Sequence, residues 1–221
     1  DLNDLNRVEL SWDGGAYQTT GLSDKTCSGY EADISSFADG LHTLSIRGVD
    51  IAENVGEAGT ASIQIDRSAP TLTQSSVKPA AWTAADSVML TWEGAADAYS
   101  GLVRMEYAVD GGAWEALDVS ENGSREIEIG GLADGEHRIT LRLTDALENA
   151  AAWEHTIYLD HTPPVVELLT PQNGAVVTGV LDIWGVVSDI SLTDWTLTAK
   201  GSSGKEVTVH ADSTERLSEQ L

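Results

Sequence analysis

The sequence holds a single cysteine, Cys27, among 221 residues, which excludes any disulfide within the chain. Extracellular proteins that lack disulfides are common enough that this does not place the chain in the cytoplasm. Cys27 lies in a polar stretch (Lys25, Thr26, Ser28, Gly29) with no histidine close in sequence, a poor setting for a nucleophile. Basic residues are scarce as well: 12 Lys and Arg stand against 36 Asp and Glu, for a net charge of −24. A surface this negative repels phosphate backbones and anionic lipid headgroups, so neither nucleic acid nor a membrane surface is an expected partner. No apolar run approaches the roughly 18 residues of a membrane-spanning helix, so no membrane insertion is expected. The first residues fall in the middle of a repeating pattern, described next, and any targeting segment is expected outside this stretch.

Catalytic signatures are missing too. There is no GxSxG, CxxC, HExxH, P-loop or dinucleotide fingerprint. Many carboxylates are present, but nothing singles out a pair spaced for glycoside hydrolysis. The chain is expected not to be an enzyme.

What the sequence does contain is an internal repeat, and repeats decide the fold. LNRVELSWDGGAYQ (5–18) aligns with LVRMEYAVDGGAWE (102–115) at a shift of 97 residues. FADGLHTLSIRGVDIAEN (37–54) aligns with LADGEHRITLRLTDALEN (132–149) at a shift of 95, and IQIDRSAPTL (63–72) with IYLDHTPPVV (157–166) at a shift of 94. Three blocks in one order, with the drift absorbed in loops, give a period of about 95 residues, the size of a two-sheet β-sandwich. The middle copy, 71–164, reads as complete. Residues 1–70 read as the carboxy-terminal part of a module whose first strands are missing. Residues 165–221 read as the amino-terminal part of a divergent one.

Within the middle copy, period-two alternation marks strands rather than helices. Val88, Leu90 and Trp92 alternate, as do Met105, Tyr107 and Val109; Trp114 and Leu117 restart the chain after the turn, Ile127 and Ile129 follow, then Ile139, Leu141 and Leu143, and last Ile157 and Leu159. A short first strand near 71–73 brings the total to about seven, the complement of a Greek-key sandwich. Asp110-Gly111-Gly112 closes a hairpin where the chain needs positive φ. Trp92 and Trp184, in apolar alternation, are expected in cores; Trp82, Trp114 and Trp153 sit near turns or strand starts.

As a set, these segments resemble bacterial immunoglobulin-like and fibronectin-type-III-like repeats. The resemblance rests on DGGAW (110–114), GLADGEH (131–137), DALEN (145–149) and DHTPP (160–164), with DGGAY (13–17), ADGLH (38–42), DIAEN (50–54) and DRSAP (66–70) in the first copy. Glu53 and Glu148 depart from it, standing where the family usually has glycine. The resemblance implies an all-β chain of tandem immunoglobulin-like (fibronectin-III-like) Greek-key sandwiches. It also implies a non-catalytic structural or adhesive spacer of a large bacterial extracellular or cell-surface protein. Its partners would be other domains of the same polypeptide and, for an adhesive face, a surface protein or glycan. The alternative implied is an accessory carbohydrate-binding region of a secreted glycan-active enzyme, distinguished by tryptophans exposed together on one face.

Two candidate sites remain. His42 and His137 occupy equivalent places in separate copies, which fits a corner residue pinning a loop better than a catalytic base. The acidic turns are the second. In a fibronectin-type topology the pole facing the preceding linker gathers Asp66 from the linker, Asp97 from the loop after the second strand, and Asp145 and Asn149 from the last turn. The next joint offers Asp160 and Asp189. Several oxygens converging at a joint suit Ca²⁺; the competing reading is that each Asp or Asn only caps its own turn.

Overall fold

A computed structural model describes residues 5–22, 29–212 and 216–220, with side chains described up to residue 208; Cys27 lies outside them. The described residues form strands and turns with no helix.

The central sandwich follows from the alternation. Strands β5 (Gln74–Lys78), β7 (Ser87–Glu93) and β10 (Gly123–Glu128) make one sheet in the order β10-β7-β5. Strands β6 (Trp82–Thr83), β8 (Leu102–Val109), β9 (Glu115–Leu117), β11 (Gly135–Asp145) and β12 (Ala150–Leu159) make the other in the order β6-β12-β11-β8-β9. Every pairing is antiparallel except β6 with β12. This is the strand arrangement of an immunoglobulin-like, fibronectin-III-like sandwich. Val88, Leu90 and Trp92 of one sheet meet Met105, Tyr107, Ile139, Leu141, Leu143, Ile157 and Leu159 of the other in a single core. The first strand begins at Gln74, later than the pattern suggested; Thr71 makes only an isolated bridge to Ala96.

The flanking strands repeat parts of that plan. Strands β1 (Leu5–Trp12), β2 (Gln18–Thr19), β3 (Gly40–Asp50) and β4 (Gly59–Ile65) pair in the order β2-β1-β3-β4, matching β9-β8-β11-β12. Strands β13 (Val165–Thr170), β14 (Trp184–Ser188) and β17 (Arg216–Gln220) pair as β13-β14-β17, and β15 (Trp195–Lys200) pairs with β16 (Glu206–Asp212). The first set has no described counterpart of β5, β7 and β10, and its inner face shows it. Ile46 is 41% exposed, whereas its counterpart Leu141 is 0% exposed.

Both hairpin turns have the left-handed geometry their sequence demands. Asp13 and Gly14 have φ of 51° and 72°, Asp110 and Gly111 of 51° and 69°; Gly15 and Gly112 return N–H bonds to Trp12 and Val109. Glu53 and Glu148, at φ of 63° and 65°, occupy positions where glycine is the low-cost residue. One core expectation fails. In β14 the buried positions are 185 and 187, so Trp184 takes the opposite face and is 40% exposed. Because strands alternate, a one-residue change of parity moves every side chain to the other side.

Candidate metal centre

The turn between β11 and β12 is built by Asp145. Its Oδ1 accepts the main-chain N–H groups of Leu147 at 2.9 Å and Asn149 at 2.8 Å, and its Oδ2 accepts the Asn149 Nδ2 at 2.8 Å. Asp50 and Asn54 repeat the same turn in the first copy. The local capping role of this aspartate is therefore real, and it is independent of anything the joint adds. Burial works against ionisation of Asp145, but the Asn149 and Leu147 donors outweigh it and hold the carboxyl below its ordinary range.

Two further carboxylates meet it. Asp66 comes from the linker after β4, and Asp97 from the loop between β7 and β8. Oxygen atoms of Asp66, Asp97 and Asp145 all lie within 4.8 Å of one another, with Asp66 6% and Asp145 0% exposed. Asp66 Oδ1 accepts the Ser68 N–H and its Oδ2 the Ser100 N–H, both at 3.0 Å. Asp97 Oδ1 collects the N–H groups of Tyr99, Ser100 and Gly101. Its Oδ2 is buried and accepts no hydrogen bond. Asn149 stands second-hand to the cluster, its Nδ2 also reaching the Asp66 carbonyl at 3.5 Å.

Like charges at about 4 Å repel by roughly 4 kcal/mol per pair where the effective dielectric constant is near 20. Three converging carboxylates, two buried and one half-buried with an unengaged oxygen, are thus an arrangement that a hard cation with oxygen ligands relieves. Asp160 and Asp189, the candidates at the next joint, are linked through Ser191: its Oγ donates to Asp160 Oδ2, and its N–H donates to Asp189 Oδ1 at 2.8 Å. Among the described residues no third carboxylate joins them.

Sequence reasoning missed the other half of each joint. Ser68 Oγ donates to Asp39, and Arg67 donates to the carbonyls of Ile34 and Phe37. At the second joint Thr162 Oγ1 and the His161 N–H donate to Asp134. The aspartate of each ADG segment (Asp39, Asp134) thus grips the linker that leaves its own copy. The recurrence of that aspartate one position before glycine is visible in the sequence, but the motif by itself discloses no long-range partner. His42 and His137 pin corners, each bonding the hairpin aspartate and a main-chain carbonyl.

The two exposed tryptophans of the central sandwich share the outer face of the five-stranded sheet but stand at its opposite edges. Trp82 stacks on Tyr158 at 5.2 Å beside the β6 edge of the five-stranded sheet, and Trp114 lies under the Arg142 guanidinium at 3.8 Å beside the β9 edge. Trp92 and Trp195 are buried, and Trp153 packs against the core.

No family model and no curated protein matches the chain. Among solved structures it is similar to fibronectin(III)-like modules of Clostridium thermocellum CbhA, at 18% identity over 71% of this chain and 78% of that one, TM-score 0.39. It is also similar to a tetra-tandem repeat from the extending region of a large adhesion protein, at 22% identity over 98% and 58%, TM-score 0.35. A third similarity is to the D00-D0 domain of intimin, at 13% identity over 70% and 85%, TM-score 0.30.

Proposed function

We propose that the chain is a non-catalytic spacer of a large bacterial extracellular or cell-surface protein. In this reading it comprises modules bounded at 1–70, 71–164 and 165–221, and Ca²⁺ bound by Asp66, Asp97 and Asp145 stiffens the first joint. The observation that supports this most is the convergence of those carboxylates from a linker and two loops, with Asp97 Oδ2 left free of hydrogen bonds. A cation there ties the linker to both loops of the following sandwich, so binding and joint rigidity become one event. The partners in this reading are neighbouring domains of the same polypeptide. A glycan-binding role is the weaker reading because the exposed indoles Trp82 and Trp114 flank opposite edges of their sheet. The test is a thermal melt in millimolar Ca²⁺ against EDTA: a rise of several degrees is expected, and an unchanged Tm leaves the three aspartates as turn and linker residues.

A further inference from the structure

His42 and His137 stand at the entry of β3 and β11, each facing two fixed acceptors. His137 Nδ1 lies 2.6 Å from Asp110 Oδ2 and its Nε2 lies 2.7 Å from the Ala133 carbonyl. His42 repeats this with Asp13 Oδ2 at 2.7 Å and the Ala38 carbonyl at 2.9 Å. A carboxylate and a main-chain carbonyl can only accept, and a neutral imidazole has one N–H. Both bonds are made at once only when both ring nitrogens carry hydrogen.

We propose that His42 and His137 are held as imidazolium ions, each stapling a hairpin turn to the loop before its strand, and that base opens each staple by removing one of that ring's two N–H protons. The surroundings support a charged ring. The carboxylate facing His137 is Asp110, which also accepts the Arg138 N–H through its other oxygen. The flanking Glu136 and Arg138 point to the other face of the strand by alternation, Arg138 pairs with Glu154, and the β12 residue opposite is the apolar Ile157. His42 faces Asp13, the Phe37 ring with centroids 5.1 Å apart, and Ile63 across the ladder; Arg67 in the linker is a cation that opposes its charge. Both rings titrate above the ordinary histidine range. For His42 the Asp13 bond is the main cause; for His137 burial opposes the shift, and the bonds to Asp110 and Ala133 outweigh it. His155 gives an internal contrast: it bonds the Ser75 hydroxyl, which can donate as well as accept, and burial lowers it.

The experiment is ¹⁵N NMR of the imidazole rings of the intact chain across a pH series, with His42→Gln and His137→Gln for assignment. Through the series, both nitrogens of His42 and His137 are expected to stay protonated at a pH where His155 has already become neutral. Asp110→Asn should move the His137 midpoint down by at least about one pH unit and leave His42 in place. Neutral rings with midpoints equal to that of His155 overturn the proposal, and that result needs only the unmutated chain.

Discussion

The Asp66 carboxylate accepts the Ser100 main-chain N–H at 3.0 Å across 34 residues of sequence. The bond carries the linker onto the loop that also holds Asp97, whose Oδ1 shares the same donor. The bond is made by protein groups alone, so the joint has a framework on which charge is then concentrated.

Charge relief and cation binding should therefore separate in one variant. Asp97→Asn keeps an oxygen for the amides of Tyr99, Ser100 and Gly101 but removes one of the three charges and with it two of the three pairwise repulsions. In EDTA its Tm is expected to match or exceed that of the parent, and added Ca²⁺ should no longer raise it. A calcium-induced rise that survives in this variant would mean the ion sits elsewhere.

Asp145→Ala should behave differently, because Asp145 builds its turn whatever the joint does. The variant strands the N–H groups of Leu147 and Asn149 and the Asn149 amide. A loss of about 1–3 kcal/mol is expected in urea unfolding, even with EDTA present.

Core truncations should report the unequal completeness of the repeats. Leu141→Ala opens a cavity in a filled sandwich and should cost about 2–5 kcal/mol. Ile46→Ala, at the equivalent place on a half-exposed face, should cost far less. Equal losses by chemical denaturation would show that the first sheet is covered in solution.

Glu148→Gly tests the left-handed turn. Glu148 sits at φ 65° and pairs with Arg104 at 2.8 Å through a carboxylate 70% exposed. An exposed pair of that kind contributes little, whereas relieving an unfavourable φ gains about 1 kcal/mol. A small rise in Tm is expected, and a fall would show that the ion pair dominates.

Acid should loosen the linkers before the cores. Asp39 is held below the ordinary carboxylate range by Ser68 Oγ and the Arg67 amide, and Asp134 by Thr162 Oγ1 and the His161 amide. A depressed folded pKa contributes stability above the unfolded value near 3.9 and loses it as pH falls through the folded one. Small-angle scattering should therefore show the relative placement of the sandwiches broadening below pH about 4, while far-UV circular dichroism holds.

The strands and the partners of the cluster were legible for different reasons. Val88, Leu90 and Trp92 could be read because burial on one face imposes period two. The convergence of Asp66, Asp97 and Asp145 could be read once sandwich topology was assumed, since loop order then dictates which turns share a pole. Trp184 was misplaced because Gly185 conceals the apolar parity of β14. Ser100 and Asp134 were not found because serine and aspartate in turns look alike whether their partner is two residues away or thirty.

Each linker is gripped from behind by Asp39 or Asp134 and from ahead by Ser100 or Ser191. Such a connection has few torsions left to randomise. In a longer array of the same units, the end-to-end distance would grow in proportion to the number of units, not as its square root, the scaling of a flexible tether. A string of folded beads becomes a ruler.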